Sequence, residues 1–254
     1  MALPEGQNLD SIHSDQIINE PFAEGGRATA RMVFDFGLML SLFSENASDG
    51  KVLDFGCGSA WLSEFLVRQG FDTVSFDIHN DLERIVSTRK LVDLRLKSNL
   101  WTFVEGDGHK MPFASNTFSQ ICCYDSLHHM HDYDKVFSEF FRVTKSGARI
   151  IFVEPGARHS KSPETIAFLE SLGTDHPGWI ERDIVLEEID SIAGKAGFES
   201  GIQIVPSMHP LSFQCFSFTE WKTFREGDSA LRNQMSEYLS NVNYWERTVF
   251  YVER

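Results

Sequence analysis

The chain has 254 residues, 42% of them hydrophobic and 24% charged, a globular composition with length enough to bury a sizeable core. Acids outnumber bases 37 to 23, giving a net charge of −14. No run of Lys and Arg supplies the basic stripe that a phosphate backbone demands, so duplex DNA and long RNA are excluded as expected partners. Residues 1–15 are polar and acidic, without the pattern of a signal peptide. The most apolar stretch, Met32 to Phe43, is interrupted by Asp35 and too short to span a bilayer. The four cysteines, Cys57, Cys122, Cys123 and Cys215, show no disulfide spacing. Reduced thiols and a cytoplasmic location are expected.

In chain order, apolar residues at helical spacing over 22–43 predict one or two leading helices. Strand and helix patterns then alternate. Lys51–Asp54 reads as a strand, Ser59–Gln69 as a helix closed by Gly70, Thr73–Asp77 as a strand and Asp81–Leu96 as a long helix. Trp101–Glu105 and Phe118–Tyr124 read as strands, and 132–143 as an amphipathic helix ended by a turn at Lys145-Ser146-Gly147. Arg149–Glu154 is a fifth strand, halted by Pro155-Gly156. This alternation predicts an α/β fold with a mostly parallel sheet covered by helices on both faces. Beyond it come a Pro- and Gly-bearing insertion or lid at 157–182, a helix over Ile184–Ala196 and a strand over Phe198–Val205. An irregular aromatic segment at 206–227, a helix at 228–240 and a last strand at Arg247–Glu253, at or near the sheet's edge, complete the chain. One domain over 1–254 is expected, with leading helices at 1–49, a core at 50–156 and a substrate-side half at 157–254 carrying insertions at 157–182 and 206–240.

The first strand runs into Asp54-Phe55-Gly56-Cys57-Gly58-Ser59-Ala60. Glycines after a first strand let backbone N–H groups approach a ligand. A dinucleotide turn needs a small residue where this chain has Trp61, and Asp54 would repel a pyrophosphate. No Gly-Lys-Ser/Thr follows, which excludes a P-loop. The acidic D-x-G-x-G-x-A pattern instead suits S-adenosylmethionine, which has no phosphate and carries an ammonium and a sulfonium.

Val52 to Ala60 resembles the first motif of the class I S-adenosylmethionine-dependent methyltransferases, with Ala60 where that family often has glycine. Three further segments are similar to the family's in order. They are Val74-Ser75-Phe76-Asp77, Glu105 through Phe113, and the block from Phe118 to Val153 that contains Ser126-Leu127-His128-His129-Met130 and Phe141-Arg142-Val143. Together they span about residues 50–155. The resemblance implies a Rossmann-like sandwich with a mostly parallel seven-stranded sheet and an antiparallel last strand. It also implies S-adenosyl-L-methionine as cofactor, held by Asp54, Phe55, Gly56, Cys57 and Gly58, with Asp77 accepting from the ribose hydroxyls and Ile78 beside it. Asp107 would meet the adenine amino group, and backbone N–H at Gly108 and His109 a ring nitrogen. Arg27 would pair with the cofactor carboxylate, as in some relatives. Tyr124, at the end of the fourth strand, should face the cleft.

Methyl transfer is an in-line displacement in which the protein orients, desolvates and, for a hydroxyl acceptor, deprotonates. The candidate bases are His128, His129, Glu154 and His159. His128, His129 and His131 are crowded into four residues with no loop geometry for an ion, and no metal is expected. The run from Glu154 to Pro163, with Glu181 to Ile189, is similar to methyltransferases that accompany glycan-building enzymes. A small-molecule or glycan acceptor is expected, methylated on oxygen, with nitrogen and carbon left as alternatives and a homodimer as the candidate protein partner. Two alternatives are a catalytically idle S-adenosylmethionine-binding subunit and a short-chain NAD(P) dehydrogenase. The second needs a Tyr-x-x-x-Lys that this chain lacks.

Overall fold

A computed structural model of the chain describes residues 19–22, 26–79, 81–92, 96, 98–172, 179–205 and 247–254, with scattered positions between 217 and 237. Its elements are α1 (Arg27–Ser41), β1 (Lys51–Phe55), α2 (Trp61–Gln69), β2 (Asp72–Asp77), α3 (Leu82–Val92), β3 (Trp101–Glu105) and β4 (Phe118–Tyr124). There follow α4 (Tyr133–Val143), β5 (Thr144–Pro155), α5 (Pro163–Leu172), α6 (Leu186–Ala196), β6 (Gln203–Ile204) and β7 (Arg247–Glu253).

The strands form one seven-stranded sheet in the order β3-β2-β1-β4-β5-β7-β6. The first five pair in parallel, and β7 runs antiparallel to both β5 and β6. In β1 and β4 apolar residues run on without alternation, Val52-Leu53 and Ile121-Cys122-Cys123 being buried. That is the signature of parallel strands covered on both faces. One face packs Phe55, Phe76, Phe137, Phe140, Phe152 and Phe250 into a continuous core. The other packs Met32, Phe36 and Met39 of α1 and Trp61 of α2 against Val52, Cys122 and Ile151.

The chain leaves β1 towards β2 and β3, then returns to place β4 on β1's other side. Such a reversal opens a crevice beyond the carboxyl ends of β1 and β4. Helix α1 is tied near it: Asp35 pairs with Arg247 of β7 and accepts the Tyr124 hydroxyl at 3.2 Å. Burial pushes the Asp35 carboxyl up to about 6 even with Arg247 beside it.

Several boundaries differ from expectation for identifiable reasons. Strand β5 absorbs the turn predicted at 145–147, because Gly147 at φ +75° lets the chain bulge and resume pairing at Arg149. Only Gln203–Ile204 of the predicted 198–205 strand pairs, while β7 lies between β5 and β6, one strand in and so near the sheet's edge as expected. Helix α3 starts at Leu82 and the described helix ends at Val92. The 157–182 insertion contains a helix, α5, which opens on Pro163 with Ser162 Oγ accepting the Thr165 N–H at 3.0 Å. The aromatic segment at 206–227 and the helix at 228–240 lie outside the described residues, apart from isolated positions. Among the described residues no helix is long and apolar enough to cross a membrane. Cys57, Cys122 and Cys123 are free, buried thiols, while Cys215 lies outside the described residues.

Candidate active site

The turn after β1 is fixed by its neighbours. Gly56 (φ +64°) sits so close to Ser126 that a Cβ there would lie 1.7 Å from Ser126 Oγ. Gly58 (φ +48°) has nothing within 4 Å of its missing Cβ, so the turn is open on that side. Backbone N–H groups of Gly56 and Cys57 donate to Phe76 O at 2.8 and 3.1 Å, fastening the turn to the end of β2. Gly108 lies on the Phe55 ring, where a Cβ would come within 2.5 Å.

Asp54 lies beneath this turn, 1% exposed. Trp101 Nε1–H donates to Ser75 Oγ (2.9 Å), Ser75 to Ser63 Oγ (2.6 Å), and Ser63 to Asp54 Oδ2 (2.5 Å). Burial lifts the Asp54 carboxyl to about 7, with the Ser63 hydrogen bond opposing. A carboxyl whose pKa is higher folded than unfolded disfavours the fold as it ionises. The cost is absent below about pH 4, grows by about 1.4 kcal/mol with each step of one in pH, and is complete above about pH 7. Asp54→Asn is therefore expected to match the wild type in thermal stability near pH 4 and exceed it at pH 8. Parallel melting curves across that range, if measured, would refute burial as what raises this carboxyl.

The next two strand ends bring further acids to the same edge. Asp77 accepts the Gly58 N–H at 2.8 Å and the His79 N–H at 3.0 Å, and Ile78 beside it is 45% exposed. Asp107, after β3, accepts from His109 N–H at 2.9 Å and from His109 Nδ1 at 2.6 Å. Burial raises its carboxyl, but these bonds outweigh it and the pKa falls below the ordinary value. His109 Nε2 in turn accepts the Asp132 N–H at 3.2 Å.

Asp54 through Gly58, Asp77, Ile78 and Asp107 through His109 thus lie on three adjacent strand ends. Among the described residues no contact of its side chain brings Arg27 to them; it is exposed in the first turn of α1. One turn on, Arg31 reaches Asp125 at 3.5 Å, and Asp125 holds φ +52°, a conformation that costs an L-residue energy. Tyr124 is committed through its hydroxyl to Asp35 and packs edge-on against Trp61. Two carboxylates beside an open glycine turn would repel a pyrophosphate, and they fit a ligand bearing cationic groups and hydroxyl donors.

At the ends of β4 and β5 a second polar cluster forms. Glu154 is enclosed. Its Oε1 accepts the N–H groups of Ser126 (3.0 Å) and Leu127 (2.9 Å), and its Oε2 meets His128 Nδ1 at 2.8 Å. His128 Nε2 faces Glu181 Oε2 at 3.3 Å. That oxygen also meets His159 Nε2 at 2.7 Å, while Oε1 accepts Trp179 Nε1–H at 2.7 Å. His129 Nδ1 lies 3.0 Å from Ile180 O and 3.6 Å from Glu181 Oε1. Burial alone would lower the His128 pKa, but Glu154 and Glu181 hold it up to about 10. Burial would raise Glu154 and Glu181, and their hydrogen bonds bring both below the ordinary range. His129 is lowered by burial and by His128.

A family model described as a methyltransferase domain matches residues 53–152. The demethylmenaquinone methyltransferase of Thermobifida fusca is 32% identical over 103 residues, covering 41% of this chain and 42% of that protein. The methyltransferase GfsG of Streptomyces halstedii is 26% identical over 199 residues, 75% of this chain and 66% of that one. The phosphoethanolamine N-methyltransferase 2 of Haemonchus contortus, solved in complex with S-adenosyl-L-methionine, shares the fold. Its TM-score is 0.60 at 19% identity, over 87% of this chain and 52% of that one. Residues 53–152 thus carry a methyltransferase domain of the class I S-adenosylmethionine-dependent type. S-adenosylmethionine is the family's cofactor, and the acidic strand ends described above fit it. Two groups at the strand ends escaped sequence reasoning. Glu181 stands 53 positions after His128 in a run with no periodic signal, and Arg31 is one of two arginines on an amphipathic helix.

Proposed function

We propose that the chain transfers a methyl group from S-adenosylmethionine to a hydroxyl oxygen of a small-molecule or saccharide acceptor. The observation that carries this reading is the pair Asp77 and Asp107 on the strand ends beside the open, acidic glycine turn. Asp77 would accept from the ribose hydroxyls, and Asp107 with the N–H groups of Gly108 and His109 would hold the adenine edge. Ile78 would lie against the ring, and the Phe55–Gly58 backbone above Asp54 would receive the amino acid end, with Arg27 turned to its carboxylate. When bound, the cofactor supplies an electrophilic methyl on a sulfonium that leaves as a neutral thioether.

The remaining task is to orient the acceptor and take its proton. Glu154 and His128 are enclosed and hold the cluster in place. His129 and His159 have side chains 29% and 22% exposed, which puts them within reach of a bound molecule. His159 is oriented through Nε2 by the Glu181 carboxylate, while its other nitrogen, Nδ1, lies 3.3 Å from Thr165 Oγ1, so an acceptor hydroxyl would replace Thr165 there to give up its proton. A positioned base of this kind contributes roughly 100-fold or more to the rate.

The test is S-adenosylhomocysteine release, with mass spectrometry of products, across hydroxyl-bearing acceptors that include saccharides. A gain of one CH₂ on oxygen is expected. His129→Ala and His159→Ala should each lower kcat by roughly 100-fold with KM for S-adenosylmethionine unchanged. Cofactor binding without turnover on any acceptor, or methylation at nitrogen or carbon alone, would defeat the oxygen reading. Wild-type kcat in both variants would remove the two imidazoles from the chemistry.

A further inference from the structure

We infer that His128, His129 and Glu181 form a binding site for a divalent transition-metal ion of the zinc class at the acceptor end of the cleft. One ligand atom from each of the three lies within 4.8 Å of the others. Two of the separations, 3.3 Å from His128 Nε2 to Glu181 Oε2 and 3.6 Å from His129 Nδ1 to Glu181 Oε1, are long for charge-assisted hydrogen bonds, which run at about 2.7–2.9 Å. They suit ligands sharing one ion, with the His129 Nδ1 proton that the 3.0 Å contact to Ile180 O holds given up as the ion binds. Bonds of about 2.0–2.1 Å in a tetrahedron place neighbouring ligand atoms about 3.3 Å apart.

The surroundings are those of a metal site as well. Glu154 meets His128 Nδ1 at 2.8 Å, so the ring presents its other nitrogen to Glu181. The Glu181 oxygens are themselves held, one by His159 Nε2 and the other by Trp179 Nε1, each at 2.7 Å. A carboxylate that aims a histidine, and hydrogen bonds that aim a ligating carboxylate, are the supports such sites use. The Glu154 and Glu181 side chains are 0% and 5% exposed, and buried carboxylates need compensating positive charge. His128 between them supplies it without an ion, and a divalent ion would replace the shared proton and leave every imidazole neutral. Two imidazoles and one carboxylate favour zinc, iron or nickel over magnesium or calcium, which prefer all-oxygen shells. With three protein ligands, a coordination position stays open for a water or an acceptor oxygen. His129 then serves as a ligand, and His159 remains as proton acceptor.

This inference does not depend on the methyl-transfer reading, since it is tested with the metal alone. The tag-free full-length chain, stripped with chelator, is titrated with Co²⁺ as a spectroscopic probe and then with Zn²⁺ in competition. The expected result is the visible d–d absorption of a tetrahedral site, saturating at one ion per chain and displaced by Zn²⁺, with protons released as the ion binds. Glu181→Gln should abolish the band, and Glu154→Gln should weaken binding about 10–100-fold. His131→Ala, just outside the site, should leave it intact. Circular dichroism of Glu181→Gln establishes that it is folded. No d–d band in the wild type, or a band of equal affinity in folded Glu181→Gln, would overturn the site. Should Glu181→Gln fail to fold, the wild-type band and the Glu154→Gln affinity decide.

Discussion

Replacing Asp77 by Ala is expected to weaken S-adenosylhomocysteine binding by more than about 100-fold, read by titration calorimetry. An ionised carboxylate offers about four lone-pair sites. Two are already used, by the N–H groups of Gly58 and His79, which leaves two for a pair of ribose hydroxyls. Each hydrogen bond to a charged group contributes about 1.5–3 kcal/mol, and the turn would also lose its latch to β2. Asp77→Asn keeps an acceptor without the charge and should fall between. Asp107→Ala should lose only about 10-fold, because a single exposed contact is at stake. An affinity within about threefold of wild type for Asp77→Ala, in a protein shown to be folded, would rule out the ribose role.

The second large effect concerns stability. Gly56→Ala should destabilise the fold by more than about 3 kcal/mol in denaturant unfolding, and Gly58→Ala by only about 1 kcal/mol. Both residues hold positive φ, so both variants carry the left-handed penalty of an L-residue. They differ in what the new methyl meets. At Gly56 it would lie 1.7 Å from Ser126 Oγ and 2.5 Å from Ser126 Cβ, whereas at Gly58 it meets nothing within 4 Å. Ser126→Gly removes both offending atoms and leaves Ser126 Cα at 3.9 Å, an ordinary contact. In that background Gly56→Ala should escape the clash and retain only the backbone strain, a coupling of roughly 2 kcal/mol. Additive effects of the two substitutions would show that something other than this contact requires glycine. Gly58→Ala has a separate consequence. It should cost little stability yet lower cofactor affinity, because the cofactor is expected on the turn's open side.

Much of this architecture is legible in the chain because it is local. The glycine turn, the acid after β2 and the Glu105–Phe113 stretch each sit on one short segment, and strand–helix alternation is enough to place such segments on neighbouring strand ends. Asp54 marks where that reading stops. A carboxylate at a strand end reads equally as a cleft wall or a buried anchor. Only the convergence of Ser63 from α2, Ser75 from β2 and Trp101 from β3 places it beneath the turn. Glu154 is similar. As a residue type it is a candidate base, while in the fold it is an acceptor for N–H groups of the β4 turn and for His128.

By itself the sequence determined the cofactor class. Trp61 stands where a dinucleotide turn needs a small residue, and Asp77 and Asp107 complete a pattern whose spacing is set within single strand–helix units. The tertiary structure alone decided the polar cluster at the ends of β4 and β5. There Glu181, from a stretch with no hydrophobic period, is brought against His128, His129 and His159 from two other segments. The reason is physical. A buried carboxylate is stable only where donors converge on it, and which donors converge depends on how segments tens of residues apart pack over the sheet.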